Sequence, residues 1–392
     1  MYKLFSVDDH IMEPADVWSS RVAAKYKDRA PHVIEDEMGK NHWTWEGGER
    51  VSASLFAVAG KPPEMWGGFE SIGYQDMIPG CYDPRQRAKD FLSNGICASA
   101  AFPTLPGFGG TLFASFPDKE LASACVEAYN NFIIDEWCAA APKGLFVPMI
   151  IGKTWDPVAT AKEIERCVKK GAKAIAWMEN PVGFGMPSYW TAHWDPVWAA
   201  AQDADIPVCM HIGTGAQGGG SPSPEAPETL YIALGFTTAM TASLNLAMSP
   251  VARKFDKLKL VFSEGGLGWL PAAMERADFQ WRKHGAWTKL TGTLPSEIIR
   301  RNMYFCMIQE PWAFRTERIR DAVGEDHIFW ECDYPHADTP WPNTQYWAKE
   351  MFDGLDRNVV EKAAYKNAER VFNWTSAEMP AEKEILMGEP VY

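Results

Sequence analysis

Residues 195–211 read DPVWAAAQDADIPVCMH and pair a helix with the strand that follows it. Apolar side chains recur three and four positions apart in residues 195–203, which predicts an amphipathic helix. Residues 206–211 form a short apolar run that ends in His211, which predicts a buried strand. A helix that leads directly into a fully apolar strand is typical of parallel sheets with crossover helices.

The same unit recurs along nearly the whole chain. Buried strands are predicted at residues 4–7, 96–102, 145–151, 172–177, 206–211, 258–263, 303–307 and 328–333. Amphipathic helical segments are predicted at residues 85–92, 118–141, 157–170, 195–203, 230–248, 267–284, 314–323 and 343–373. Eight strand–helix units of this kind favour an α/β fold, a distorted (β/α)8 TIM barrel, over a doubly wound sheet.

One long segment, residues 21–83, interrupts this alternation. Within it, residues 42–51 alternate and pivot on a Glu-Gly-Gly turn, which predicts a β-hairpin. Because the segment follows the first strand, we expect it to cap the C-terminal face of the barrel, with Trp43, Trp45 and Trp66 as part of a lid. We predict one barrel over residues 1–375, with 21–83 as its insertion, and an acidic tail over 376–392.

Composition excludes several classes of protein. The 392 residues carry 38 Lys and Arg against 51 Asp and Glu, a net charge of −13, which disfavours nucleic acid as a partner. No run of about 18 apolar residues is evident, so we expect no membrane span. The first residues lack the pattern of a signal peptide, and the eight cysteines form no CxxC pair. We therefore expect a cytoplasmic protein with reduced cysteines and no thiolate zinc site.

Ionisable side chains cluster at the predicted strand ends. Asp8 and His10 end the first strand and point to one face of it, since they are two residues apart. His211, Glu264 and Asp333 end later strands, and a barrel brings such ends together at one mouth. Imidazoles with carboxylates and no thiolate are typical of Zn, Mn or Fe sites. The candidate metal ligands are Asp8, His10, Glu13, His211, Glu264, Asp333 and His336.

Each of these residues also has a simpler interpretation. A lone histidine is more often a core or surface residue than a ligand, and a carboxylate at a strand end can cap the next helix. The coincidence of several strand ends favours metal binding for His10, His211 and Asp333, and less strongly for Asp8. For Glu13, Glu264 and His336 both interpretations remain open. The remaining histidines are assigned to core, capping or surface roles.

Other catalytic chemistries lack their motifs. No Gly-x-Ser-x-Gly elbow supports a serine hydrolase, and no Gly-x-Gly-x-x-Gly follows the first strand. The glycine-rich residues 213–222 are not followed by Gly-Lys-Ser/Thr, so they form no P-loop, and we expect a mobile loop near the substrate. Trp190, Trp194 and Trp198 recur at four-residue spacing, which predicts one packed helix face.

Taken together, the strand-end motifs resemble the amidohydrolase-related metalloenzymes, in the branch of aminocarboxymuconate-semialdehyde decarboxylase-like and resorcylate decarboxylase-like enzymes. The matching stretches are residues 8–10 (DDH), 195–201 (DPVWAAA), 206–211 (IPVCMH), 262–271 (FSEGGLGWLP) and 330–336 (WECDYPH). The resemblance implies a distorted TIM barrel with a metal at its C-terminal mouth. It places Asp8 and His10 as the ligand pair of the first strand, His211 as the ligand of the fifth and Asp333 as that of the last.

Two departures from this branch shape the functional hypothesis. The first-strand motif is Asp-x-His, and Glu264 stands where the decarboxylase-like members carry a histidine. The pattern of Asp8, His10 and Glu13 with Glu264 and Asp333 resembles a sub-branch that includes dinuclear iron or manganese–iron monooxygenases. The leading hypothesis is therefore a dinuclear Fe/Mn oxygenase that hydroxylates an aliphatic carbon, with Glu264 and His336 also as catalytic groups.

Two alternatives are kept. The first is a mononuclear Zn or Mn decarboxylase or hydrolase of a small carboxylic acid, with Glu264 as general base. The second is a partner subunit of a homologous active chain. In each enzymatic version the substrate is a small molecule, and we expect a homo- or hetero-oligomer.

Overall fold

Eight parallel strands form the centre of the structure, a computed structural model that describes residues 1–48, 50–54, 56–66, 72–215 and 223–388. The strands are β1 (Leu4–Ile11), β2 (Ile96–Pro103), β3 (Phe146–Val147 and Met149–Ile151), β4 (Ala174–Trp177), β5 (Val208–His211), β6 (Leu260–Ser263), β7 (Met303–Met307) and β8 (Ile328–Trp330). All eight predicted strands are confirmed. β3 is interrupted at Pro148, which has no N–H to donate to a neighbouring strand.

The strands pair in the order of the chain. β1, β2 and the first part of β3 form one parallel sheet, and the second part of β3 continues through β4 to β8. The first and last strands lie side by side, because the Asp333 amide donates to the Asp8 carbonyl and the His10 amide to the Tyr334 carbonyl, each at 2.7 Å. This is the strand order of a TIM barrel, and the predicted fold class is confirmed.

Helices connect the strands. They are α1 (Pro84–Leu92), α2 (Lys119–Phe132), α3 (Pro157–Lys170), α4 (Asp195–Asp203), α5 (Glu228–Ala233), α6 (Phe236–Met248), α7 (Val251–Lys254), α8 (Leu270–Thr288), α9 (Pro295–Asn302), α10 (Pro311–Arg315), α11 (Glu317–Val323), α12 (Thr344–Phe352), α13 (Arg357–Glu361) and α14 (Asn367–Val371). Asp83, Asp118 and Asp156 cap α1, α2 and α3 by accepting hydrogen bonds from first-turn amides. The predicted segments are found, several of them divided, and α7 and α9 are additions.

The insertion contains a small antiparallel sheet. Asn41–Thr44 pairs with Val51–Ser52, as predicted for the hairpin, and also with His32–Glu35. The amides of Val58 and Ala59 both donate to the Pro335 carbonyl at 2.9 Å, so the insertion reaches the chain just after β8. The predicted lid includes residues 49, 55 and 67–71, and the glycine-rich loop includes 216–222, all of which lie outside the described residues.

Tryptophans fill much of the core. Trp194 and Trp198 pack edge-on against Trp177 at ring distances of 5.6 and 6.2 Å. The prediction of one helix face that includes Trp190 is wrong, because α4 begins only at Asp195 and Trp190 is 45% exposed. In the insertion, Trp43 is buried.

The C-terminal residues pack on the barrel itself. The Ala377 amide donates to the Cys97 carbonyl at 2.9 Å and the Leu386 amide to the Ser93 carbonyl at 2.7 Å. These contacts attach the described part of the tail near the start of β2. The boundary at residue 375 stays a prediction.

One helical segment passes a test for membrane spans, although no membrane span was expected from the sequence. Glu228–Met248 is long and apolar enough, by length and composition, to cross a bilayer, and 33% of its most apolar window is buried. Threonines and serines interrupt the segment, so it does not read as a continuous apolar run. Core helices of soluble proteins pass the same test, so the criterion is weak evidence.

Candidate metal centre

Four of the predicted ligands meet at the mouth of the barrel. Asp8, His10, His211 and Asp333 are all buried, and one potential ligand atom from each lies within 4.8 Å of all the others. The two Nε2 atoms of His10 and His211 are 3.2 Å apart. Asp333 Oδ1 lies 3.2 Å from the first of them, and Asp8 Oδ2 lies 3.4 Å from the second.

The alternation of β1 explains why Asp8 and His10 reach the cluster together. Asp9, between them, points to the other side, where Oδ2 accepts from the Ser99 hydroxyl at 2.5 Å and Oδ1 from the Tyr334 amide at 3.1 Å. Burial raises the pKa of Asp9 to about 7. The two-residue period therefore separates residues of the cluster from a residue that braces the strand.

The cluster is rich in acceptors and poor in donors. All four carboxylate oxygens of Asp8 and Asp333 are buried without a hydrogen-bond partner among the described residues. Burial and neighbouring carboxylates raise the pKa of both groups well above its ordinary value. Burial lowers the pKa of His10, and that of His211 to about 3, so both imidazoles are neutral. In the ionised state these buried carboxylates need a cation beside them, and neutral imidazoles supply lone pairs to one.

The orientation of His211 follows from its other nitrogen. Nδ1 lies 2.7 Å from the Ile212 carbonyl, which assigns the proton to Nδ1 and leaves the Nε2 lone pair directed to the cluster. On the first strand, the buried Arg87 guanidinium donates to the His10 carbonyl at 2.8 Å. The Phe108 ring lies 4.4 Å from both imidazole rings and excludes water from that side.

Glu264 stands at the edge of the cluster. Its Oε2 lies 3.2 Å from His211 Nε2, and its side chain is 17% exposed against 1% for Asp333. Burial and the nearby Asp333 raise the pKa of Glu264 well above its ordinary value. Both residues have left-handed backbone, with φ of 59° and 54°, a conformation that costs about 1–3 kcal/mol and is found mainly at functional sites.

His336 lies on the opposite side of His10. Their rings stack at 3.8 Å with an interplanar angle of 28°. Its Nδ1 is 2.8 Å from Asp333 Oδ1, without the alignment of a hydrogen bond, and its Nε2 is buried and unpartnered among the described residues. His336 therefore contacts two members of the cluster.

Glu13 is held elsewhere. Its Oε1 accepts from the Thr104 amide at 2.8 Å and its Oε2 from the Leu105 amide at 3.0 Å, so both oxygens are engaged by the loop after β2. Burial raises its pKa to about 7. The structure does not place Glu13 in the four-residue cluster, and its assignment as a ligand or supporting residue stays a prediction.

Substitution of Glu13 tests this arrangement. We expect Glu13→Ala to lower the free energy of unfolding by about 2–4 kcal/mol, because two buried amides lose their acceptor. Glu13→Gln keeps one acceptor oxygen and is expected to lose about half as much. Metal analysis should give the same metal content for both variants and the unmodified chain, whereas loss of metal in Glu13→Gln would mark Glu13 as a ligand.

Glu331 and Glu179 are among the carboxyl groups near the mouth that were not predicted as site residues. Glu331 directly follows β8, and both of its oxygens accept from the Glu264 amide at 3.1 Å. Glu179 follows β4 by two residues and is buried. The same signal that identified Asp333, an acidic residue just after an apolar run, could have identified both.

Comparison with known proteins places the chain in a family. The amidohydrolase family model matches residues 78–374. The chain is 28% identical over 248 residues to a gamma-resorcylate decarboxylase from Polaromonas sp. strain JS666, covering 55% of this chain and 67% of that protein. The chain belongs to the amidohydrolase family.

Solved structures share the fold. An amidohydrolase from Mycobacterium avium subsp. paratuberculosis superposes with a TM-score of 0.74 at 18% identity, covering 95% of this chain and 99% of that one. A 5-carboxyvanillate decarboxylase from Novosphingobium aromaticivorans, complexed with manganese and 4-hydroxy-3-methoxy-5-nitrobenzoic acid, superposes with a TM-score of 0.64 at 18% identity, covering 95% and 96%. At 18% identity these superpositions show a shared fold and nothing further.

Proposed function

We propose that this chain is a decarboxylase of a small aromatic carboxylic acid that depends on one divalent metal ion. The observation that carries the proposal is the buried cluster of Asp8, His10, His211 and Asp333, whose carboxylate oxygens lack donors among the described residues. The similarity to a gamma-resorcylate decarboxylase supports the reaction type, and manganese in the related 5-carboxyvanillate decarboxylase supports the metal.

The four residues of the cluster would hold the ion. Two neutral imidazole nitrogens and two carboxylates form a donor set that suits manganese or zinc. When bound, such an ion supplies positive charge that holds the substrate carboxylate and stabilises negative charge as it develops. We further propose residues 1–375 as the catalytic unit, with the insertion as its cap.

Glu264 is the candidate proton donor. Burial and the nearby Asp333 raise its pKa, which favours the protonated carboxyl group, and its side chain is more exposed than those of Asp8 and Asp333. In the proposed step its proton moves to the ring carbon that bears the carboxylate. The bond between that carbon and the carboxylate then breaks, its electron pair returns to the ring, and CO₂ leaves. Solvent reprotonates Glu264.

The surrounding residues prepare this step. Glu331 fixes the backbone of Glu264, so the acid keeps its position during turnover. The Phe108 ring covers both imidazoles and keeps water from that side of the reacting group. His336, stacked on His10 and next to Asp333, orients both of these residues.

A second candidate is the two-ion oxygenase predicted from the sequence. The observation that favours it is the additional carboxylate of Glu264, 3.2 Å from His211 Nε2, with His336 on the other side of the cluster. The decarboxylases among the relatives described above favour decarboxylation over oxygenation. The hydrolase and partner-subunit alternatives have no separate observation in their favour.

Metal analysis combined with two assays tests the proposal. The purified chain, loaded with manganese, would be incubated with 2,6-dihydroxybenzoate and 5-carboxyvanillate with and without O₂. We expect about one ion per chain and equal CO₂ release under both conditions. Two ions per chain with substrate-dependent O₂ consumption would support the oxygenase, and absence of CO₂ release from the manganese-loaded chain would contradict the decarboxylase.

A further inference from the structure

A polar cavity lies beside the barrel mouth, between the end of β4 and helix α6. It has a volume of about 150 Å³. Its lining combines one carboxyl group with hydroxyl and amide side chains. The lining residues are Glu179, Asn180, Gly215, Thr237, Thr238, Thr241, Ala242 and Asn245.

Glu179 is the unusual member of this lining. It is only 2% exposed, and its Oε2 has no hydrogen-bond partner among the described residues. The other oxygen, Oε1, accepts from the Thr238 hydroxyl at 3.3 Å. A buried carboxyl oxygen without a partner destabilises the empty cavity, and a ligand that supplies a donor removes that penalty.

The neighbouring threonines do not supply the missing donor. The Thr237 hydroxyl donates to the Leu234 carbonyl at 2.6 Å, and the Thr241 hydroxyl to the Thr237 carbonyl at 2.8 Å. Thr238 is already shared between Glu179 and the Gly235 carbonyl. The hydroxyl hydrogens of Thr237 and Thr241 are therefore committed to backbone carbonyls, and that of Thr238 is shared between Glu179 Oε1 and the Gly235 carbonyl. Glu179 Oε2 is matched to a ligand group that donates a hydrogen bond.

Hydrogen bonds through one residue, Thr214, connect the lining of the cavity to the four-residue cluster. The Thr214 hydroxyl donates to the His211 carbonyl at 2.6 Å, and the Glu179 amide donates to the same hydroxyl oxygen at 3.0 Å. In the sheet, Trp177 pairs with Met210, so Glu179 and His211 emerge from neighbouring strands at nearly the same level. The Thr214 hydroxyl therefore links the backbone of Glu179 to that of His211, and the cavity lies next to the cluster.

We propose that this cavity is the subsite for a hydroxyl or protonated amino group of the substrate, which donates a hydrogen bond to Glu179 Oε2. The subsite rests on the proposed function, since the reacting carboxylate of the substrate would bind at the four-residue cluster. Glu179 is then a specificity-determining residue that selects among substituted aromatic acids.

Binding of paired probes tests the subsite. Dissociation constants would be measured by calorimetry on the manganese-loaded chain for three pairs: 3-hydroxybenzoate with 3-methylbenzoate, 4-hydroxybenzoate with 4-methylbenzoate, and 4-(aminomethyl)benzoate with 4-ethylbenzoate. We expect at least one probe with a hydroxyl or amino group to bind about tenfold more tightly than its apolar counterpart, as one added hydrogen bond predicts. In Glu179→Leu this ratio should fall to about one.

A second variant separates the two donor groups and guards against misfolding. Glu179→Gln has the same size and keeps an acceptor oxygen, so it should retain a preference for a hydroxyl group and lose one for an amino group. Glu163→Gln is the matched control, because this buried carboxyl bonds to Asn130 and Arg166 and does not line the cavity. Its binding ratios should equal those of the unmodified chain.

The outcomes distinguish the subsite from the reaction. A ratio of about one for every pair in the unmodified chain, or an unchanged ratio in Glu179→Leu, would overturn the subsite. CO₂ release is measured on the same samples. If Glu179→Leu loses the binding preference and the unmodified chain releases no CO₂, the subsite is supported and the proposed reaction is contradicted. If the unmodified chain releases CO₂ and Glu179→Leu keeps the preference, the reaction is supported and the subsite is contradicted.

Discussion

Replacement of His211 by Asn is expected to remove the bound metal and to lower the decarboxylation rate about a thousandfold. His211 contributes one of two imidazole nitrogens at the centre of the cluster, 3.2 Å from the other. A shorter amide side chain cannot reach the same position. Charge stabilisation by a metal is worth several kcal/mol, and about 4 kcal/mol corresponds to a thousandfold change in rate.

The same substitution at His327 provides the control. His327 is also largely buried, its pKa is also lowered by burial, and its Nδ1 also lies near a backbone carbonyl, that of Met303 at 2.8 Å. It precedes β8 and therefore lies at the other end of the barrel. We expect His327→Asn to keep its metal and its rate per folded chain.

Metal content per chain and manganese titration are the measurements. The unmodified chain and His327→Asn should saturate at the same stoichiometry, and His211→Asn should remain metal-free at equal manganese concentration. Full metal occupancy in His211→Asn would contradict the proposed ligand set and would direct attention to the other acids of the mouth.

The architecture could be predicted from sequence because every strand is buried on both faces. Such strands appear as short apolar runs, and the polar residues that end several of these runs mark the mouth of the barrel. The helix α9 was not predicted, since its eight residues, Pro295–Asn302, carry only Ile298 and Ile299 as large apolar side chains. Two adjacent apolar residues are too few for the helical period to be recognised.

The site could be predicted in part for the same reason. Asp8 and His10 lie in the C-terminal half of β1, His211 ends β5 and Asp333 follows β8, so the topology brings these residues together. The position of Glu13 could not be predicted, because its partners are backbone amides that the sequence does not identify.

The left-handed backbone at Glu264 and Asp333 also has no sequence signal. Both are ordinary L residues, for which this conformation is unfavourable, and the surrounding contacts impose it. Glu331 supplies one such contact, since its carboxylate accepts from the Glu264 amide. Long-range contacts of this kind are absent from local sequence patterns.

Glu264→Gln is expected to lower the turnover number by about 10²–10⁴ and to leave the metal in place. The amide has the size of the protonated acid but no proton of suitable acidity to give to the substrate carbon, and general acid catalysis contributes a factor of this order. Burial raises the pKa of Glu264 and so favours the neutral carboxyl form, which a neutral amide matches in charge. We therefore expect KM to change less than kcat.

Glu310→Gln is the matched control. Glu310 also follows a strand at the barrel mouth, burial also raises its pKa, and its Oε2 accepts from the Leu267 amide at 2.8 Å. An amide at this position keeps an acceptor oxygen, so rate and metal content should match those of the unmodified chain. A similar rate loss in both variants would indicate a general effect on folding.

Metal analysis of Glu264→Gln also separates the two candidate functions. If Glu264 donates a proton, the variant keeps about one ion per chain and loses only turnover. If Glu264 instead binds a second ion next to His211, the variant loses one of two ions and its O₂-dependent activity. The two roles make opposite demands on the same carboxyl group, because a proton donor must be protonated before reaction and a metal ligand must be ionised.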